Sequence, residues 1–328
     1  MKHSFIKNIE KMINPIEVGT IHFMQSFTNS IPPTLQSKLI TNGAKKNPYM
    51  GFVVEPYSFF LCHELVDLEK AQQLIPDNYK LIKAKIFNED IPKYYCIQGC
   101  FNVHTSAFWG TRSEFYIIAE SKDTGLLSWV IVDYDTNTVS YDQKRGLSSG
   151  NTSSCVLTTS FDGNVIIDIQ NQKSSRELIL ESDITQGIQK TLDSRLWIEG
   201  NLSVTYGKDL SSNKGEAFSV TFNPEEFEKA LYIPLSETKI ERNTWFPGLF
   251  KDSPDQLVCF PFAQHFLSDS PGHYSTIQDE HALINRLENI DFSTFSNYSS
   301  SSIKKSFQLG QLFSFILIIL LLVLLILK

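Results

Sequence analysis

The chain has 328 residues, with 29 Lys and Arg against 36 Asp and Glu and a formal net charge of −7. No block of Lys and Arg supplies the basic face that phosphate binding on a nucleic-acid scale needs, so nucleic acid is not expected as a partner. Hydrophobic content of 42% and aromatic content of 12%, with 24 Phe, exclude a disordered chain and suffice for one large packed domain or two small ones.

Residues 1–45 read as a peripheral segment. Phe5, Ile6, Ile9, Met12 and Ile13 recur at helical spacing until Pro15 stops the pattern. The apolar face is short, which favours packing on the domain over lying on a lipid surface. Residues 46–291 read as one β-rich domain. Gly51–Val54 and Tyr57–Cys62 are rich in aromatic and β-branched residues. A short helix is expected over Asp67–Ile75, ended by Pro76. Strands are then expected at Leu81–Phe87, Tyr94–Val103, Glu114–Glu120, Leu126–Asp133, Thr138–Tyr141, Ser154–Phe161, Asn164–Gln170 and Glu177–Leu180. Asp-Gly and Gly-bearing turns separate several of them. Leu196–Tyr206 and Glu216–Phe222 are expected to be strands, and Pro224–Leu231 a helix capped by Asn223. Thr244–Asp291 reads as loops with scattered aromatics and a helix over Thr276–Leu287.

Residues 292–306 form a polar, Ser-rich tether. From Phe307 to Leu327 the polar interruptions are Gln308, Gln311 and Ser314. As a helix at ~1.5 Å per residue, this segment would be ~30 Å long, the thickness of a bilayer's hydrocarbon core. The expectation is a single-pass C-terminal transmembrane helix over 307–327 with the bilayer as a partner. Lys304 and Lys305 before the run, against Lys328 after it, would leave the main domain facing the cytosol.

The five cysteines, Cys62, Cys96, Cys100, Cys155 and Cys259, have no zinc-site spacing and read as buried thiols. The histidines show neither H-x3-H nor H-E-x-x-H, so no metal site is expected. G-x-S-x-G, the P-loop and G-x-G-x-x-G are all missing, which argues against nucleotide use, and no cofactor is expected.

Three segments carry a family resemblance. Asp67 to Pro76 precedes the long β run; His104-Thr105-Ser106 is followed by Glu114 ten residues after the His; and Tyr141-Asp142-Gln143-Lys144-Arg145-Gly146 stands later. Together they resemble the acetoacetate decarboxylase-like superfamily over roughly residues 50–250. In that family the counterparts are an H-D-T-S stretch, a pocket glutamate and Y-P-K-K-x-G. The resemblance implies a mainly β (α+β) fold, a single closed or half-closed sheet with short helices. It also implies an imine between a lysine and a substrate ketone, with a second cation depressing the pKa of that lysine.

The chain departs from the pattern. Gln143 falls on the nucleophile's place, and an amide cannot form an imine. A shift of one residue makes Lys144 the nucleophile and Arg145 its cationic neighbour. The family's second carboxylate falls on Gly99. Two readings therefore stand. In one, the domain acts on a small keto acid through an imine at Lys144, with Glu114 and Arg145 beside it and His104, Tyr141 and Trp109 lining the substrate. In the other, the fold is kept without the chemistry and the domain binds an apolar or lipid-like small molecule at the membrane surface. The expected ligand is thus a small carbonyl compound in the first reading and lipid-like in the second. Bland alternatives are a solvated Lys144, a structural His104, and a strand-edge Glu114 paired with Arg112. The oligomeric state is not legible from the sequence.

Overall fold

The computed structural model describes residues 2–13, 32, 34–36, 38, 49–105, 108–142, 146–171, 173–211, 215–269, 277–294, 311, 315, 316 and 319. In chain order the helix α1 (Lys2–Met12) is followed by strands β1 (Tyr49–Val54) and β2 (Ser58–Glu64), helix α2 (Leu68–Leu74), and strands β3 (Tyr79–Leu81), β4 (Lys83–Ala84), β5 (Lys93–Thr105), β6 (Trp109–Ser121) and β7 (Leu127–Thr136). Then come β8 (Ser140–Asp142), β9 (Gly146–Ser148), β10 (Thr152–Thr159), β11 (Asn164–Asn171), β12 (Glu177–Asp183) and β13 (Ile188–Thr191). A π-helical turn at Arg195–Glu199 runs into α3 (Gly200–Leu202). The strands β14 (Val204–Tyr206), β15 (Val220–Phe222), β16 (Lys229–Tyr232), β17 (Thr238–Asn243), β18 (Gln256–Phe260) and β19 (Gln264–Asp269) and the helix α4 (Glu280–Asn289) complete the order.

β5 organises the main sheet. One of its edges pairs with β2 over Tyr95–Cys100 and then with β1 over Val103–Thr105. The sheet therefore forks, into β2–β18–β16–β13 and β1–β19–β15. The other edge of β5 pairs antiparallel with β6, and β6 with β7. A second sheet, β10–β11–β12–β17, covers one face of these strands, and β8–β9 is a separate hairpin.

Alternation of side chains divides the core in two. One face carries Tyr95, Ile97, Tyr116, Ile118, Trp129 and Phe260, filled from above by Leu196, Trp197 and Leu202. The opposite face carries Cys96, Phe115, Ile117 and Val130 and packs on Val165, Ile167, Leu178 and Leu180 of the second sheet. On β11 the burial alternates residue by residue, which is the pattern of a strand with one solvated face.

Most expected strands are present, with β5, β6 and β12 longer than read. Helix α2 starts where expected, because the Asp67 side chain accepts the Lys70 N–H at 2.9 Å. The expected strand Leu81–Phe87 is broken into the end of β3, the two-residue β4 and an isolated bridge at Phe87, and three further expectations fail. Leu196–Tyr206 is helical through Leu202 and only then a strand. Asp193 caps that turn through Leu196 N–H (3.1 Å), and Trp129 Nε1 donates to the Leu196 carbonyl at 2.9 Å. Those bonds, with burial of Leu196, Trp197 and Ile198, override β propensity. Pro224–Leu231 is a single 3-10 turn (Pro224–Phe227), with Asn223 at its cap, before β16 pairs with β13 and β18. β18 and β19 arise in a stretch read as loops, since their partners β2 and β1 lie far away in sequence.

The expected C-terminal transmembrane helix is corrected. Among the described residues no helix is long and apolar enough to cross a membrane. α1, the longest α-helix described, has 11 residues, about 16 Å where a span needs about 30 Å. The single-pass localisation and the bilayer partner lose their support with it. Of residues 307–327, Gln311, Phe315, Ile316 and Ile319 are described, as helical and exposed, and the remainder lies outside the described residues.

Candidate functional site

Arg112, Glu114 and Tyr116 lie two residues apart on β6, so all three project from one face of the strand. That face belongs to the core built around Trp129 and Trp197. All three side chains are buried. Arg112 Nε donates to one oxygen of the Glu114 carboxylate at 2.5 Å, and the Tyr116 hydroxyl donates to the other. Arg112 Nη1 donates to Ser140 Oγ at 2.8 Å, and the guanidinium lies 4.3 Å from the centre of the Tyr134 ring. Tyr134 stands opposite Glu114 on β7. The stack and the ion pair together keep the buried cation compensated.

Burial works against the Arg112 charge, but Glu114 beside it more than offsets this and raises the guanidinium's pKa, with Tyr134 adding to the effect. Burial, and then the negative charge of Glu114, push the Tyr116 phenol well above its ordinary value. Tyr206 on β14 acts electrostatically on both groups. Chemically this is a fixed ion pair with a neutral phenol: it can orient a polar ligand and stabilise charge. Both carboxylate oxygens are already engaged, which limits Glu114 as a mover of protons.

Glu114 pairs across the sheet with Gly99 of β5. A Cβ on Gly99 would come within 2.8 Å of Phe60 Cε1 and 3.4 Å of Tyr116 Cε2. A side chain there would force Phe60 to shift, which disfavours a second carboxylate at this position. Phe60 is itself held edge-on by Trp197 and Phe260, with ring centres at 5.3 and 5.7 Å.

β7 is locked from its other face. Arg176 reaches both Asp133 and Asp135, the latter at 2.6 Å, and stacks 4.3 Å from the Trp245 ring centre. Burial raises the pKa of Asp135 against the opposing pull of Arg176. A register shift between Phe115 and Tyr116 lies beside this clamp.

His104 and Trp109 meet each other and not Glu114. They are paired across β5 and β6, stacked at 4.6 Å, and His104 Nε2 lies 2.7 Å from Glu55. Trp109 is five residues from Glu114 along β6, an odd number, so the two side chains point to opposite faces about 17 Å apart along the strand. Tyr141 belongs to β8, which begins at Ser140 beside Arg112. Lys144 and Arg145 lie outside the described residues. Arg112 was legible as a partner of Glu114, although β6 is an interior strand and not an edge. Tyr116, Tyr134 and Ser140 went unread. The signal for Tyr116 is the alternating Arg-x-Glu-x-Tyr itself, whereas Tyr134 and Ser140 depend on strand register.

Among the described residues no group of three or more His, Cys, Asp or Glu side chains is arranged to hold a metal. No family model matches the sequence, and no curated protein matches it. The structure is similar to a crystal structure of acetoacetate decarboxylase from Legionella pneumophila subsp. pneumophila str. Philadelphia 1, with a TM-score of 0.43 and 11% identity over 71% of this chain and 88% of that one. A second solved structure, from structural studies of acetoacetate decarboxylase, has a TM-score of 0.40 and 12% identity over 71% of this chain and 90% of that one.

Proposed function

We propose that the domain is decarboxylase-like and binds a small carbonyl compound on the face of β6 that carries Glu114, with Lys144 as the amine that forms an imine with it. One observation supports this reading most. The buried Arg112–Glu114–Tyr116 set is tied through Ser140 to β8, four residues before Lys144 in the chain. An imine-forming amine must be unprotonated near neutral pH, and a permanent cation nearby favours the neutral amine. Arg145 is proposed as that cation, because the charge of Arg112 is already balanced by Glu114. Glu114, held by Arg112 and Tyr116, orients the ligand. His104 and Trp109, on the opposite face, fall outside this site.

The second reading is a binding domain without catalysis. It is favoured by Gln143 at the family's nucleophile position and by the occupation of both Glu114 oxygens. Incubation of the full chain with acetoacetate or pyruvate, followed by borohydride reduction and peptide mass spectrometry, separates the two. A mass increase confined to Lys144 is expected from the imine. A folded protein with no adduct at any lysine leaves the binding reading.

A further inference from the structure

His265, on β19, is buried with a carboxylate at each ring nitrogen. Nδ1 lies 3.1 Å from Glu226 and Nε2 lies 3.2 Å from Glu10. A neutral imidazole carries one N–H, so it can donate to only one of these acceptors and turns a lone pair toward the other. Only the imidazolium satisfies both. We propose that His265 is a proton-operated clasp for the N-terminal helix: protonated, it bridges Glu226 and Glu10 and holds α1 on the domain, and on losing its proton it releases Glu10.

The two carboxylates are not equivalent. Glu226, in the turn Pro224–Phe227, is buried and also accepts the His265 backbone N–H at 2.8 Å. That second bond keeps Glu226 in place whatever the state of the ring. Glu10 sits on α1 with 55% of its side chain exposed, so water can take it over at little cost. The proton therefore controls the bond to the helix rather than the bond to the turn.

The surroundings leave little else to compete. α1 lies on the outer side of β1 and β19, with Phe5 and Ile9 buried against Val53 and Leu267. β1 presents Val53 opposite His265, and the preceding helical turn of α1 contributes apolar contacts. Among the described residues the charged groups acting on the imidazole are Glu226, from the turn, and Glu10, from the helix. Burial opposes the positive charge, yet these two carboxylates win and the pKa of His265 is raised above its ordinary value. With a raised pKa in the docked state, the contribution to docking is complete below the ordinary histidine pKa and disappears as pH rises through the raised value. Release would also loosen the contact between Phe5 and Phe292, whose ring centres are 6.1 Å apart.

Hydrogen exchange of the full chain at pH 6 and pH 8, read by peptide mass spectrometry and corrected for intrinsic rates, tests the clasp. Protection of residues 2–12 should fall about fivefold more than that of β6 and β7 on going to pH 8, the size of one lost ion pair. Glu10→Gln should abolish this difference, and as an exposed position it should not unfold the domain as a change at buried His265 could. Equal protection of α1 at both pH values overturns the proposal. So does a Glu10→Gln variant that keeps the full pH dependence.

Discussion

The ring of Phe60 occupies the space that a side chain at position 99 would need, with 2.8 Å between Phe60 Cε1 and a Cβ built on Gly99. Phe60 cannot turn aside freely, because Trp197 and Phe260 hold its edges. Gly99→Ala should therefore destabilise the domain by about 1–3 kcal/mol, as overpacking does. Denaturant melts would show it, and Phe60→Leu in the same chain should recover part of the loss. Full stability in Gly99→Ala alone would mean that the ring yields.

Removing Arg112 strands a buried carboxylate. Arg112→Ala should cost about 3 kcal/mol or more, whereas Arg112→Ala combined with Glu114→Gln should cost less than Arg112→Ala alone. Urea unfolding of the two single variants and the double variant gives the coupling energy. Additive losses would show that the pair contributes no coupling.

His63 sets a pH dependence opposite in sign to that of His265. It is fully buried, with Nδ1 at 2.9 Å from the Lys251 carbonyl, and burial lowers its pKa to about 4. The folded state thus keeps the imidazole neutral, while the unfolded chain protonates it near 6.5. Its contribution is present above that unfolded value and is lost as pH falls from 6.5 toward 4, by about 3 kcal/mol at most. Unfolding free energies at pH 7 and pH 5 should differ by less in His63→Leu than in the parent. An unchanged difference would place the pH dependence elsewhere.

The cysteines should be inert in the folded protein. Cys62, Cys96, Cys100 and Cys259 are buried, and burial pushes the Cys100 and Cys259 thiols up to about 12 and Cys155 to about 11. At pH 8 a thiol reagent should label the native protein slowly and all five positions rapidly in denaturant. Fast native labelling of Cys100 would contradict the packing between β5 and β6.

Much of the β framework is legible in the sequence because strands alternate locally. β11 and β12 can be read from their own residues, and α2 from Asp67 and Pro76. Position 114 stands out by its spacing from His104, yet the same spacing says nothing of which face each residue occupies. The register of β5 on β6 sends His104 and Trp109 one way and Glu114 the other. The turn at Arg195–Glu199 misleads because Trp and Ile favour strands in isolation, whereas here the turn is buried and a distant Trp129 bonds the Leu196 carbonyl. Hydropathy alone predicts a membrane-crossing helix near the C-terminus, and among the described residues none is long and apolar enough.

What the residue order determines unaided is the supply of parts: alternating strands, a capped short helix, and Arg112, Glu114 and Tyr116 spaced to share one side of β6. Which partners those parts meet is decided only in three dimensions. Phe60 reaches Gly99, Ser140 reaches Arg112, and Glu10 reaches His265 across separations along the chain that no local pattern encodes. Local periodicity follows from the geometry of one backbone segment, whereas these contacts follow from how segments far apart in sequence are brought into register.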